Sequence, residues 1–228
     1  VRRPARATRP NVHGRACTAY CRRREPAAAA LVANCVEWNN LQKEVGRSII
    51  ADAIFVDRFS VLGSITVLGA VIFTSILMSA YMQRSDEDGP ELYALFLTAA
   101  FGAIVMLSAN DLIVLFLGLE ILSLSLYLLA ASNRRREQSQ EAGIKYFVLG
   151  GFASAFFLYG IALVYGSTGS TQLYVNTSTP QGIAQALGSQ VAVSGNESLL
   201  LIGIGLLMIG LAFKVSAAPF HVWAPDVY

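Results

Sequence analysis

Residues 108–127, SANDLIVLFLGLEILSLSLY, decide the fold. From Leu112 the run stays apolar to Ala131, with Glu120 as its one charge. A hydrocarbon core of roughly 30 Å is crossed by about 20 helical residues. A membrane-spanning strand would alternate apolar and polar positions. This run does not alternate, so it predicts a spanning helix over 112–131. Only Asn110 and Asp111 separate it from a second apolar run, 92–109. That spacing predicts a tight helical hairpin, with Asn or Asp as the N-cap of the second helix.

Working outward, the same criterion finds three more spans. Residues 59–82 carry no charge, 144–165 carry Lys145 at their start, and 199–220 contain Lys214. The expected fold is all-α, a polytopic transmembrane bundle of about five spans with a broken helix near Pro219. Composition agrees. Hydrophobic residues make up 54% and charged residues 14%, against about 25% charged in a soluble domain. The mean hydropathy is +0.52. A soluble enzyme is excluded, and no nucleic-acid partner is expected; the lipid bilayer is.

The chain joins two unlike texts. Residues 1–24 hold eight arginines and no acid; taking those eight charges from the net +2 leaves −6 for the remainder. The division falls near residue 40. Residues 1–40 read as a basic stretch, disordered or not the native start (a frame-shifted segment), and 41–228 as the transmembrane domain. All three cysteines, Cys17, Cys21 and Cys35, lie in the basic part. His13, Cys17 and Cys21 are spaced loosely like metal ligands, but no second pair follows, so no metal site is expected. Asn176 and Asn196 match a short glycosylation pattern that is frequent by chance.

Charge placement predicts orientation. Arg134, Arg135 and Arg136 put the 132–143 loop in the cytoplasm, and the 166–198 loop, free of Lys and Arg, outside. The arginine-rich start then falls on the outer side, against that rule, which is a further reason to set it apart.

A charge at the bilayer centre costs roughly 2.5–3.5 kcal/mol on insertion scales. Glu120 lies nine residues into its span, roughly 13 Å deep, close to the midplane. It reads either as a proton-holding group or as a structural carboxylate bonded to another helix. Lys214 lies roughly 22 Å along its span. It reads as a proton carrier or as a side chain reaching back to the interface. Pro219 favours the first reading, because broken helices in membranes line protein-buried or wet paths. Lys145 reads as an interfacial anchor or a functional lysine. His221 reads as a proton relay or a structural donor, and Asp226 as a local backbone cap. Gly118, Gly150, Gly151, Gly203, Gly205 and Gly210 read as close-packing positions.

These motifs carry a resemblance. Residues 108–127, the run Glu141-Ala-Gly-Ile-Lys-Tyr-Phe-Val-Leu-Gly150, and the run Gly210-Leu-Ala-Phe-Lys-Val-Ser-Ala-Ala-Pro-Phe-His-Val-Trp-Ala-Pro-Asp-Val-Tyr228 resemble, in order, consecutive helices of the subunit N family of NADH–quinone oxidoreductase. The resemblance covers about 51–228. It implies an incomplete antiporter-like fold that contributes part of a proton channel coupled to quinone reduction. Glu120 would match the family's key glutamate, Lys214 the lysine of its broken helix and Lys145 a further lysine. Together with His221 these are the candidate proton-transfer residues. The resemblance also implies other membrane subunits as partners and protons as cargo. No cofactor is expected on this chain: NADH, quinone, flavin and iron–sulfur clusters would belong elsewhere in the complex. A bacterial inner membrane is the expected location. The competing readings are a subunit of a multi-subunit cation/proton antiporter and an inactive membrane scaffold.

Overall fold

The computed structural model describes residues 12–41, 46–85, 90–133, 135–174, 182–189 and 197–227. Helix α1 is Val12–Asn40. A short antiparallel hairpin follows, β1 (Arg47–Ile49) with β2 (Ile54–Val56), registered Arg47 to Val56. Then come α2 (Arg58–Ser85), α3 (Pro90–Ser108), α4 (Leu112–Ala130), α5 (Glu137–Thr168), α6 (Ile183–Ser189), α7 (Glu197–Lys214) and α8 (Trp223–Val227).

Helices α2, α3, α4 and α5 are each long and apolar enough to cross a membrane. Their outer faces expose Phe73, Leu117, Leu124, Leu128 and Phe152, as a bilayer requires. Hydroxyls within these spans are satisfied internally: Ser64, Ser75, Ser123 and Ser125 each donate to the carbonyl four residues back. Neighbouring helices pack in sequence, α1 on α2, α2 on α3, α3 on α4 and α4 on α5, while α5 packs most extensively on α7.

The α3–α4 hairpin forms as its sequence suggests. Asp111 is the N-cap of α4, its Oδ1 accepting from the Ile113 amide at 2.7 Å. Asn110 does more than turn the chain. Its Nδ2 donates to the carbonyls of Asp52 (2.8 Å) and Tyr174 (2.7 Å), and its Oδ1 accepts from the Tyr174 amide at 3.2 Å. One buried side chain thereby ties the β-hairpin turn, the α3–α4 turn and the segment after α5.

Small residues set the closest helix approaches. A Cβ added at Gly160 would come within 2.8 Å of the Gly203 carbonyl on α7, and one at Gly210 within 2.7 Å of Phe157 Cβ. Gly118 and Gly150 also lie at contacts. Gly151 and Gly205 do not; nothing approaches either within 4 Å. A core of Leu112, Phe157, Ile161, Val164, Ile183 and Leu200 fills the α4–α5–α7 junction.

Three features differ from the sequence reading. Residues 12–40, for which disorder is one reading of the sequence, form the 29-residue helix α1, and Ala27 and Leu41 are buried. The all-α expectation omits the β-hairpin. The fifth apolar helix, expected to reach residue 220, stops at Lys214, while the break does fall around Pro219, in the non-helical residues 215–222 between α7 and α8. The reason is in the backbone. The Ala217 amide donates to the Ala212 carbonyl (2.8 Å) and the Ser216 amide to that of Phe213 (3.1 Å), with Ser216 at φ 53°. This paired closure around a left-handed residue is a Schellman motif, and it ends the helix five residues before the proline. Residues 1–11, Arg134, Asn176 and Asn196 lie outside the described residues, as do the side chains of His13, Cys17 and Cys21.

Candidate functional site

Glu120 projects from α4 towards α5, where the hydroxyl of Ser154 donates to its Oε1. Ser154 is buried, so the carboxylate meets a neutral donor inside the bundle.

Lys214 occupies the last turn of α7, where a cation suits the negative end of the helix dipole. Its side chain does not turn outward to the interface. Nζ lies 2.6 Å from Ser123 Oγ and 2.8 Å from the Tyr127 hydroxyl, both on α4. Glu120, Ser123 and Tyr127 are three and four residues apart, so they line one face of that helix. The carboxylate and the ammonium therefore address the same stripe. The ion pairs among the described residues do not join them.

An aromatic block begins at Tyr127, whose ring centroid lies 5.2 Å from Lys214 Nζ. Tyr127 stands edge-on to Tyr146 (centroids 4.6 Å apart, planes at 80°), Tyr146 stacks on Trp223 (4.6 Å, 17°), and Trp223 stacks on Phe213 (5.1 Å, 18°). The Trp223 indole N–H donates to the Phe213 carbonyl at 3.2 Å. Through this block the break after α7 is folded back against α5 and α4.

Lys145 stands elsewhere. Its Nζ is 2.7 Å from Glu141 Oε1, one turn back on α5, and 2.7 Å from Asp226 Oδ2 on α8. Asp226, read from sequence as a local backbone cap, instead makes an ion pair across 81 residues. These groups line a cavity of about 590 Å³ at the end of the bundle, together with Arg136, Ser132 and Asn133. His221 lies exposed in the turn between α7 and α8, its carbonyl accepting from the Ala224 amide at 3.1 Å. No side-chain hydrogen bond links His221 to Glu120, Lys145 or Lys214.

The fold thus brings Glu120 and Lys214 to one seam and leaves Lys145 and His221 outside it. Sequence reasoning missed Ser123, Tyr127 and Ser154. The first two were within reach, because they follow Glu120 at helical spacing; Ser154 had no comparable signal. Among the described residues no cluster of His, Cys, Asp and Glu could hold a metal ion.

Fold and site together define a multi-pass helical membrane protein with a carboxylate and an ammonium inside its bundle, each held by hydroxyls from a neighbouring helix. Residues 109–228 match the family described as NADH:quinone oxidoreductase/Mrp antiporter, TM, and the chain belongs to that family. It is 41% identical over 202 residues to NADH-quinone oxidoreductase subunit N 1 of Sorangium cellulosum, covering 88% of this chain and 38% of that protein. It is 48% identical over 165 residues to subunit N of Rhodospirillum rubrum, covering 72% and 32% respectively. Among solved structures, respiratory complex I from Thermus thermophilus holds a similar chain, with TM-score 0.70 and 34% identity, over 92% of this chain and 41% of that one. The chain spans about a third of the length of the curated relatives it matches.

Proposed function

We propose that this chain forms part of a proton-translocating membrane subunit of an NADH–quinone oxidoreductase, with Glu120 and Lys214 as its proton-carrying groups. The observation that carries this reading is their placement on one α4 stripe, each bonded to neutral hydroxyls. A proton leaving the Lys214 ammonium for the Glu120 carboxylate breaks an N–H bond and forms an O–H bond. Two half-buried charges then become an amine and a carboxylic acid. The energetic cost of holding those charges in a low-dielectric interior makes their balance sensitive to a remote change in field, such as quinone reduction elsewhere in the complex.

In this reading Lys145 and its polar cavity form an access point at the α4–α5 loop end, and His221 stands beside the break. That end faces the cytoplasm of a bacterial inner membrane. Other membrane subunits flank the bundle. The chain carries no redox group; flavin, iron–sulfur clusters, NADH and quinone belong to the rest of the complex.

The test is Glu120→Gln in the complete subunit, assembled and reconstituted into vesicles. Proton uptake driven by NADH oxidation is expected to fall by about tenfold or more, with the complex still assembled. Undiminished uptake would favour a scaffold role. Uptake that requires sodium rather than NADH oxidation would favour the antiporter reading, which the family description also names.

A further inference from the structure

Two hydroxyls at the Glu120–Lys214 seam have no part in the proton step itself. We propose that Ser123 and Tyr127 are positioning residues that hold the Lys214 nitrogen at a resting place about one helical turn from Glu120. The proposal rests on the proton-carrying reading of Glu120 and Lys214.

The geometry is direct. Lys214 Nζ sits 2.6 Å from Ser123 Oγ and 2.8 Å from the Tyr127 hydroxyl. Three residues of helix rise about 4.5 Å, so Ser123 stands nearly one turn along α4 from Glu120. Moving Nζ back by that turn would exchange the hydroxyls for the carboxylate.

The two hydroxyls are not equivalent. Ser123 already donates its one hydrogen to the Leu119 carbonyl at 2.6 Å. Towards Lys214 it can only accept, so it holds the nitrogen through an N–H. The Tyr127 hydroxyl has its own hydrogen. It accepts from an ammonium, or donates to the lone pair of a neutral amine. The pair therefore fixes the nitrogen in either protonation state. Glu120 is held separately, by Ser154 from α5. Each ionisable group has its own neutral partner, and neither depends on the other to stay in place.

The resting place is itself rigid. Tyr127 is 6% exposed. Tyr146 and Phe147 stand edge-on to its ring at 4.6 and 5.8 Å. Its hydroxyl lies where a Cβ on Gly150 would stand, so glycine at 150 leaves it room. Trp223 stacks on Tyr146 and bonds to the Phe213 carbonyl. One aromatic block thus holds both the tyrosine on α4 and the residue next to the lysine on α7.

The variants Ser123→Ala, Ser123→Thr, Tyr127→Phe and Glu120→Gln, placed in the complete subunit of the reconstituted complex, test this. Readouts are proton uptake, quinone reduction, the KM for quinone and the amount of assembled complex. Ser123→Ala and Tyr127→Phe are each expected to lower protons moved per quinone reduced by about fivefold, with assembly and KM unchanged. Ser123→Thr, which keeps an acceptor, is expected to pump like the parent. A role in folding alone would reduce assembly and quinone turnover in step with uptake. Normal pumping by both Ser123→Ala and Tyr127→Phe, alongside failure of Glu120→Gln, overturns the resting place and leaves the proton-carrying reading intact. Normal pumping by Glu120→Gln overturns that reading and the resting place with it.

Discussion

Lys145 Nζ meets Asp226 Oδ2 at 2.7 Å, and this ion pair fastens the short helix α8 to the start of α5. Both side chains are partly exposed, at 41% and 59%, so solvent screens the attraction. Its consequence is local. Asp226→Lys sets two cations together and is expected to quicken amide hydrogen exchange in residues 215–227 by about an order of magnitude. Asp226→Glu keeps the pair and the protection. Unchanged exchange in Asp226→Lys would show that the aromatic stack alone holds α8.

Ser154 is the one described side-chain donor to Glu120. Hydrogen bonds to charged groups contribute about 1.5–3 kcal/mol, so Ser154→Ala is expected to lower the thermal midpoint of the protein. Ser154→Thr, with its hydroxyl retained, is expected to restore most of that loss. Differential scanning calorimetry of the three proteins reads the difference. Equal midpoints would mean that Glu120 does not depend on this hydroxyl.

The α5–α7 contact gives a paired test of close packing. Gly160 lies against the backbone of Gly203 and Leu207, whereas Gly205, on the same helix as Gly203, has nothing within 4 Å. Overpacking typically costs about 1–3 kcal/mol and more where backbone must move. Gly160→Leu is therefore expected to abolish stable insertion or assembly, and Gly205→Leu to be tolerated. Measured expression of folded subunit in membranes decides between them; equal damage from both would contradict the packing described.

Asn110 joins three segments through one amide. Asn110→Ala leaves two carbonyls and one amide without this partner, each worth about 1 kcal/mol or more when buried. Asn110→Asp is expected to be worse, because a carboxylate has no hydrogens for the Asp52 and Tyr174 carbonyls and is repelled by them. Limited proteolysis is expected to cut the 46–57 segment faster in both, with Asp the faster. The reverse order would argue against the donor role of Nδ2.

Much of this architecture is legible in the chain. A run such as 112–131 can satisfy its backbone inside a bilayer only as a helix, so continuous apolarity predicts both the element and its setting. Asp111 announces the start of α4 because a side-chain acceptor there meets a free amide. Glu120 and Lys214 stand out because a charge in such a run is energetically costly without a use.

The rest is decided in three dimensions. The end of α7 depends on amide–carbonyl pairs between 212 and 217 and a left-handed Ser216, none of which Pro219 encodes. The partners of the charged groups lie 34, 91, 87 and 81 residues away, in the pairs Ser154–Glu120, Lys214–Ser123, Lys214–Tyr127 and Lys145–Asp226. Hydropathy determined which helices enter the membrane and which residues within them are costly to bury. Only the rotation and depth of each helix against its neighbours determined which hydroxyl or carboxylate each charge meets, because those contacts span a few ångströms between segments that are distant along the chain.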